Sequence, residues 1–170
     1  MQINENDNYI MFDGKRIPLT DEQIEMIKSD GIIKENAFGR VKVDAKYCFI
    51  DPTGSVAQIV DVRTAFDTGC FYAANYCTDE DIMEQRALHE TLNRLLWRYS
   101  VENGEADNPW DSNHQHCYIY FDVRKRAFEV GNNWCVHSSC EVYFPTEEVA
   151  NKAITDIVIP FLAEHKDFVW

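Results

Sequence analysis

The stretch Asn75-Tyr-Cys-Thr-Asp-Glu-Asp81 has a counterpart later in the chain, Val142-Tyr-Phe-Pro-Thr-Glu-Glu148. In both, an aromatic run of β type leads to a threonine that acidic residues follow directly. A threonine hydroxyl can accept a hydrogen bond from the free N–H groups at a helix start, and carboxylates there interact favourably with the helix dipole. Each stretch therefore predicts a strand that runs into a capped helix, with Thr78 and Thr146 as the N-caps.

A β-hairpin is predicted before each of these junctions. The first combines Tyr47-Cys-Phe-Ile-Asp51, the turn Pro52-Thr-Gly54 and Val56 to Val60, and the second combines Cys117-Tyr-Ile-Tyr-Phe-Asp122 with Val123 to Val130. Because hairpins join neighbouring antiparallel strands and each helix must bury its apolar side, we expect an α+β fold. Its architecture is an antiparallel sheet of hairpins with helices packed on one face, and an internal pseudo-repeat of a strand-rich segment followed by a helix.

Apolar residues with helical spacing follow both threonines. After Thr78 they are Leu88, Leu92, Leu95, Leu96 and Tyr99; after Thr146 they are Val149, Ala150, Ala153, Ile154, Ile157, Val158, Phe161 and Leu162. Such stripes are typical of amphipathic helices. Proline removes a backbone donor from a helix, so Pro160 predicts a kink or two abutting helices.

The N-terminal region predicts a smaller unit. Asp13-Gly14 lies between two β-type runs and favours a hairpin turn, and Thr20 with Gln23 resembles a capping box for a short helix that ends at Gly31. No Pro/Gly/Ser-rich linker interrupts the chain, so we expect one domain over residues 1–170. Its parts are the N-terminal hairpin and short helix (1–31), the first sheet-helix unit (46–104) and the second (116–168).

Composition excludes several classes of protein. The 170 residues include 29 Asp and Glu against 16 Lys and Arg, a net charge of −13, which opposes binding to phosphate backbones or anionic membranes. The N-terminus lacks the basic and apolar regions of a signal peptide, and no apolar run is long enough to span a bilayer. We expect a cytoplasmic protein that binds neither nucleic acid nor membrane directly, with its six cysteines reduced.

The residues do not predict a catalytic site, a cofactor or a metal. His114, His116 and Cys117 with Cys135, His137 and Cys140 could ligate zinc, but the paired C-x₂-C knuckles of structural zinc sites are missing, so strand cysteines and surface histidines are favoured. Cys77 precedes a helix start, as a reactive thiolate can, yet no partner base is specified. Zinc binding stays open as an alternative.

Half of the net charge lies in a quarter of the chain. Residues 79–122 hold ten acidic residues and three arginines, whereas the other 126 residues carry a net charge of −6. Such a stretch is either a solvated surface that confers solubility or an imitation of a phosphate backbone that attracts a basic groove. On the second interpretation the partner-binding residues are Asp79, Glu80, Asp81, Glu84, Glu105, Asp107, Trp110 and Asp111, with Trp110 as an aromatic anchor.

Several motifs resemble a group of small phage and prophage proteins of Gram-positive bacteria. The matching stretches are Leu19-Thr-Asp-Glu-Gln23, the aromatic hairpin Tyr47 to Gly54, and Val142-Tyr-Phe-Pro-Thr-Glu-Glu-Val-Ala-Asn-Lys-Ala-Ile154. The chain departs from the pattern at Ala74, where the group has Gly, and at Cys77, where it has Phe. The resemblance covers nearly the whole chain and implies no catalytic residues.

The resemblance implies a setting in which small acidic proteins inhibit host defences, among them anti-CRISPR proteins that block a Cas nuclease. The expected function is therefore a non-enzymatic inhibitor whose acidic surface occupies the nucleic-acid groove of a host defence protein. Two alternatives stay open: an accessory interaction module whose charge gives only solubility, and a zinc-binding protein or enzyme that uses the Cys/His cluster.

Overall fold

The computed structural model describes residues 2–4, 9–12, 15–22, 36–134, 136–138 and 141–169. The strands are β1 (Gln2–Asn4), β2 (Tyr9–Phe12), β3 (Lys15–Pro18), β4 (Lys46–Ile50), β5 (Val56–Val60), β6 (His116–Asp122), β7 (Ala127–Asn133) and β8 (Tyr143–Phe144). The α-helices are α1 (Ala65–Tyr72), α2 (Glu80–Glu102), α3 (Glu147–Ala153) and α4 (Ile159–Glu164). Helices and antiparallel sheets together confirm the predicted α+β class.

The N-terminal strands form an antiparallel sheet in the order β1-β2-β3. Phe12 of β2 pairs with Lys15 of β3, so these strands pair as the predicted hairpin requires. The turn residues Asp13 and Gly14 lie outside the described residues, as does most of the predicted short helix, at 23–35. Only its first residues, Asp21 and Glu22, are described, and they are helical.

The first sheet-helix unit begins with the hairpin of β4 and β5, in which Ile50 pairs with Val56. The Asp51 carboxylate accepts hydrogen bonds from the amides of Thr53 (2.8 Å) and Ser55 (3.1 Å), and Gly54 adopts a φ of 91°. A positive φ suits glycine, which has no Cβ to clash. The turn predicted from Pro52-Thr-Gly54 is therefore confirmed.

Helix α1 was not expected from the sequence pattern. Thr64 caps it, and Thr64 and Asp67 form a reciprocal capping box: the Asp67 amide donates to the Thr64 hydroxyl at 3.2 Å, and the Thr64 amide donates to the Asp67 carboxylate at 2.8 Å. The box uses Asp at the third helical position, where Glu or Gln is the usual signal. The helix is short because the chain turns at Ala73 and Ala74, which has a φ of 55°.

Helix α2 is shared by the two sheet-helix units. Met83 and Ala87 in its N-terminal half pack in one cluster with Cys48, Ile50 and Cys77 of the first unit. In its C-terminal half, Leu92 and Leu96 pack in another cluster with Cys117 and Phe144 of the second unit. At about 100° per residue, these two pairs point about 180° apart around the helix axis. The predicted stripe from Leu88 to Tyr99 therefore describes only the second of two buried faces.

The second unit contains a three-stranded antiparallel sheet in the order β7-β6-β8. Tyr118 of β6 pairs with Gly131 of β7 on one side and with Tyr143 of β8 on the other. The hydroxyl of Ser100, which is buried, donates to the Tyr143 carbonyl and so joins α2 to this edge of the sheet.

The C-terminal helices α3 and α4 are joined by a π-helical turn, Ile154–Val158. Pro160 lies in the first turn of α4, where a missing N–H disturbs the helix least. The predicted interruption, a kink or two abutting helices, takes the form of two α-helical segments with a wider π turn between them. Ala150, Ala153, Val158 and Phe161 are buried against α2 and the second sheet.

One of the two predicted N-caps is confirmed and the other is wrong. Thr146 accepts from the Val149 amide at 3.2 Å, as expected. At the start of α2 the cap is instead Asp79, which accepts from the Ile82 amide at 3.1 Å. The hydroxyl and the amide of Thr78 donate to the carbonyl of Ala37, because the segment before β4 passes alongside.

Backbone pairing gives the pseudo-repeat its structural register. Cys48 of β4 forms an antiparallel bridge with Cys77, just as Cys117 of β6 pairs with Phe144. Cys77 lies two residues before the N-cap Asp79, and Phe144 lies two residues before the N-cap Thr146. The repeat predicted from the sequence is therefore present, although the equivalent of Thr146 is Asp79 and not Thr78.

Candidate functional site

Four carboxylates lie at the N-terminal end of α2: Asp79, Glu80, Asp81 and Glu84, called here the acidic helix end. All four residues are exposed. Asp79 is used as the N-cap, but no cation in the described part of the chain pairs with Glu80, Asp81 or Glu84. The helix dipole supplies only about +0.5 charge at this end. Since four carboxylates exceed this severalfold, the acidic helix end keeps a strong negative potential.

The acidic stretch does not continue along α2. Glu90 bonds to Arg86 at 2.9 Å and to Arg94 at 3.4 Å, with the pairs at i,i+4 spacing. Arg98, on the next turn, has no ion-pair partner among the described residues. The middle of the helix, residues 86–98, thus carries three arginines against one glutamate, and it separates the acidic helix end from the acids that follow α2.

The remaining predicted site residues lie beyond the other end of α2, in the segment 105–111. Glu105 belongs to a short 3₁₀ turn and is partly buried; its carboxylate lies 2.5 Å from Nδ1 of His116, whose side chain is fully buried. Asp111 contacts Nδ1 of His114 at 2.7 Å, and this hydrogen bond, with others from the Asn113 and His114 amides, lowers the pKa of the Asp111 carboxyl. Asp107 is exposed.

Trp110 is part of an aromatic cluster and is not a free anchor. Its ring stacks on His116, with centroids 3.5 Å apart and planes within 2°, and meets Tyr143 edge to face at 4.9 Å and His137 at 4.5 Å. The Tyr143 hydroxyl donates to Glu141 at 2.6 Å, and burial, reinforced by that bond, raises the pKa of Tyr143. Trp110 remains 42% exposed, so one part of the indole still meets solvent.

The predicted site residues therefore fall into two groups, one at each end of a helix about 34 Å long. The first group, Asp79, Glu80, Asp81 and Glu84, is exposed, and apart from the capping hydrogen bond of Asp79 none of its carboxylates has a cation partner among the described residues. In the second group Glu105, Trp110 and Asp111 are engaged within the protein, and Asp107 alone is exposed without a side-chain partner in the described residues. We retain the first group as the candidate binding surface.

A groove of about 300 Å³ between α2 and the C-terminal helices adds further carboxylates. Leu95, Tyr99 and Phe161 contribute its apolar floor. Its rim carries three acids, Glu102, Asp156 and Glu164, against Arg98. The negative charge of the described residues is therefore spread over more than one exposed surface, the acidic helix end and the rim of this groove among them.

Sequence reasoning missed a buried carboxylate network in the first unit. Asp61 is fully buried and bonds to Arg40 and Arg63, each at 3.1 Å, and to the Tyr76 hydroxyl at 3.0 Å. Burial opposes its ionisation, but the Arg63 amide, Arg40 and Tyr76 outweigh burial and lower the pKa of the Asp61 carboxyl. The signal was an acid directly after the apolar strand β5, with arginine two residues on.

Asp67 is the second buried carboxylate, and it accepts from the hydroxyls of Thr64 (2.7 Å) and Tyr47 (2.9 Å). The hydrogen bond from the Thr64 hydroxyl contributes most to lowering the pKa of the Asp67 carboxyl. Burial, together with the hydrogen bond from Tyr47 to Asp67, raises the pKa of Tyr47. The rings of Tyr47 and Tyr76 stack at 3.9 Å between the two acids. Because both carboxylates and both tyrosines are buried and their polar groups are satisfied internally, we assign this network to stabilising the fold.

Sequence reasoning also missed Trp97, which is 61% exposed on α2. Val101, one turn later on the same side of the helix, is also exposed. The available signal was a large apolar residue outside the predicted Leu88–Tyr99 stripe. Such a side chain can contribute to an apolar contact with a partner.

Part of the Cys/His cluster on which the zinc alternative depends lies outside the described residues. Among the described residues, no three His, Cys, Asp or Glu side chains lie together in a way that could hold a metal ion. Cys135 and Cys140 lie outside the described part of the chain, so the predicted cluster around His137 stays an open alternative.

None of the helices in the described part of the chain combines the length and the apolar character needed to cross a membrane. Comparison of the chain with protein-family models, with curated proteins and with solved structures finds no match. Its function must therefore be inferred from its own residues and their arrangement.

Proposed function

We propose that this protein is a phage-encoded, non-enzymatic inhibitor that occupies the nucleic-acid groove of a host defence nuclease of the Cas type. The acidic helix end carries the proposal, because Glu80, Asp81 and Glu84 are exposed and have no cation partner among the described residues. An inhibitor of this kind would act in the cytoplasm of the infected bacterium. The resemblance to phage proteins supports that setting.

The charge density of the acidic helix end supports imitation of a nucleic acid. Asp79 to Glu84 place four carboxylates along about 7.5 Å of helix axis, with a mean spacing of about 2.5 Å between successive charges. Double-stranded DNA carries one charge per about 1.7 Å of axis. A groove lined by Lys and Arg that attracts DNA would therefore attract this helix end as well. Because the helix is already ordered, binding it would not cost the entropy of ordering a flexible segment.

The experiment is a competition between this protein and target DNA for a purified Cas nuclease loaded with guide RNA. We expect the protein to displace DNA. Its affinity for the nuclease should fall steeply as salt is raised from about 50 to 300 mM, because salt screens the attraction between exposed charges. In the variant Glu80→Gln/Asp81→Asn/Glu84→Gln the affinity should fall at least about tenfold, equivalent to about 1.4 kcal/mol.

Glu147 and Glu148 provide the matched control, since they are exposed acids in the first turn of another helix, α3. The variant Glu147→Gln/Glu148→Gln should leave the affinity within about twofold. Unchanged affinity in the triple variant would contradict the proposed surface. An equal loss in both variants would mean that overall charge, and not this surface, drives binding.

Trp97 favours a second candidate, an accessory interaction module whose contact is apolar and whose charge serves solubility. An exposed indole beside Val101 on the outer side of α2 is the kind of residue that anchors protein interfaces. The same salt series separates the two candidates, because apolar binding would persist at high salt and would be lost in Trp97→Ser and retained in the triple acid variant.

A further inference from the structure

Cys48 and Cys77 lie directly opposite each other where the first sheet meets the start of α2. The Cys48 amide donates to the Cys77 carbonyl at 2.7 Å, and the Cys77 amide donates to the Cys48 carbonyl at 3.0 Å. Antiparallel residues that exchange both hydrogen bonds have Cα atoms about 5.5 Å apart and side chains on the same face. This separation lies within the range of about 4.4–6.8 Å that disulfides span.

The two side chains are also buried together. Cys48 is 1% exposed and Cys77 is 0% exposed, and both belong to the core cluster that contains Ile50, Met83 and Ala87. Cys70 and Cys117 belong to two other clusters. Among the described cysteines, Cys48 and Cys77 are thus the one pair that shares a cluster.

Each sulfur is already held by a donor. The Asp79 amide donates to Sγ of Cys77 at 3.4 Å, at the N-terminus of α2, and the Gln58 side chain donates to Sγ of Cys48 at 3.9 Å. Burial raises the pKa of the Cys48 thiol. A buried thiol reacts slowly as a nucleophile, so we expect oxidation over hours and not seconds.

We propose that Cys48 and Cys77 are a modification site, at which a small disulfide such as oxidised glutathione converts the two thiols into an intramolecular disulfide. The first cysteine thiolate attacks one sulfur of glutathione disulfide, which breaks that bond and releases one glutathione thiolate. The second cysteine thiolate then attacks the mixed disulfide, forms the Cys48–Cys77 bond and releases the second glutathione thiolate. The two protons go to the released glutathione thiolates, so one disulfide is reduced while two protein thiols are oxidised.

The bond would fasten the acidic helix end to strand β4. It would close the loop 48–77, which contains the hairpin turn and α1, and loops of this length restrict the unfolded chain considerably. For a protein of this size, we expect the thermal midpoint to rise by roughly 5–10 °C. This inference does not depend on the proposed function, because its readouts need no partner.

The experiment incubates the folded full-length protein with mixtures of reduced and oxidised glutathione at pH 8, then alkylates the remaining thiols and digests with trypsin. We expect a cross-link between peptides 47–63 and 64–86, with the loss of two hydrogen atoms and full reversal by dithiothreitol. Peptide 64–86 contains Cys70 as well as Cys77, so Cys70→Ser is the control that should keep the cross-link. Cys77→Ser and Cys48→Ser should each abolish it.

Three results would overturn the proposal: no such cross-link at any glutathione ratio, a cross-link that Cys70→Ser removes, or a cross-link that forms only when the protein is refolded in the redox buffer. The comparison with refolded protein matters because unfolding exposes both thiols to glutathione, whereas in the folded protein they are buried. A cross-link that the folded protein forms, together with a raised midpoint, would support the site.

Discussion

Close contact between single residues decides what the sheet of the second unit tolerates. The ring of Tyr118 lies over Gly131, its partner across β6 and β7, so that an added Cβ at position 131 would come within 2.5 Å of the ring carbon Cζ. Tyr118 in turn packs against Tyr143. Gly131 therefore leaves the space that the far end of the Tyr118 ring occupies, and a side chain at position 131 would force that ring to shift.

Gly131→Ala should accordingly destabilise the protein by about 1–3 kcal/mol, the usual range for overpacking, measured as the free energy of unfolding in urea. In the background of Tyr118→Ala the same substitution should cost much less, since the clashing ring is gone. Gly69→Ala is the control: its added Cβ meets no atom within 4 Å in helix α1, so it should be neutral or stabilise by up to about 1 kcal/mol. Equal penalties for Gly131→Ala in both backgrounds would contradict the role of Tyr118.

The helices α2 and α3 of the two units differ in the residue that forms their N-cap. Asp79 caps α2 and Thr146 caps α3, whereas Thr78 is occupied by the Ala37 carbonyl. The pattern Cys77-Thr-Asp79 offers two adjacent residues that are both good N-caps. Which of them caps depends on the segment 36–39, which is distant in sequence.

Removing the true cap should be costly and removing its neighbour should not. Asp79→Ala and Thr146→Val should each lower the free energy of unfolding by about 1 kcal/mol. Thr78→Val should cost less than about 0.5 kcal/mol, because it removes only an exposed hydrogen bond of 3.3 Å. Urea unfolding followed by circular dichroism makes the comparison, and a larger effect at Thr78 than at Asp79 would show that the caps are assigned wrongly.

At the scale of the whole molecule, α2 joins the two units because it buries opposite faces in them. Met83 lies in the cluster of the first unit and Leu92 in that of the second, on one continuous helix. A helix that spans both clusters transmits the loss of packing in one to the other. One domain was predicted from the absence of a linker, and this shared helix gives that prediction a physical basis that unfolding can test.

Tryptophan fluorescence provides the test. All four tryptophans lie at or after Trp97, so their signal reports on the second half of the chain and not directly on the cluster around Met83. Met83→Ala, in the cluster of the first unit, should lower the urea midpoint reported by tryptophan and destabilise by about 2–4 kcal/mol. Leu92→Ala should have a similar effect, whereas Ile82→Ala, whose side chain is substantially exposed, should shift the midpoint little. If Met83→Ala leaves the tryptophan transition unchanged, the two units unfold independently.

Local chemistry was sufficient for much of this fold. The turn at Pro52-Thr-Gly54, the hairpin of β6 and β7, the Thr146 cap, the two C-terminal helices and the pseudo-repeat follow from residues that are neighbours along the chain. Turn chemistry, capping and apolar period depend on short-range geometry, which is why they can be read from the sequence.

The tertiary structure alone decided which charges remain free and which face of α2 meets which unit. The ten acids of residues 79–122 look alike in the sequence, but Glu105 meets the buried His116, Glu90 meets two arginines, and Glu80, Asp81 and Glu84 meet no described cation. Likewise Asp61 and Asp67 became buried, and Cys48 came to face Cys77, through contacts between segments far apart in the chain. Long-range contacts are set by packing, whose outcome depends on all segments together.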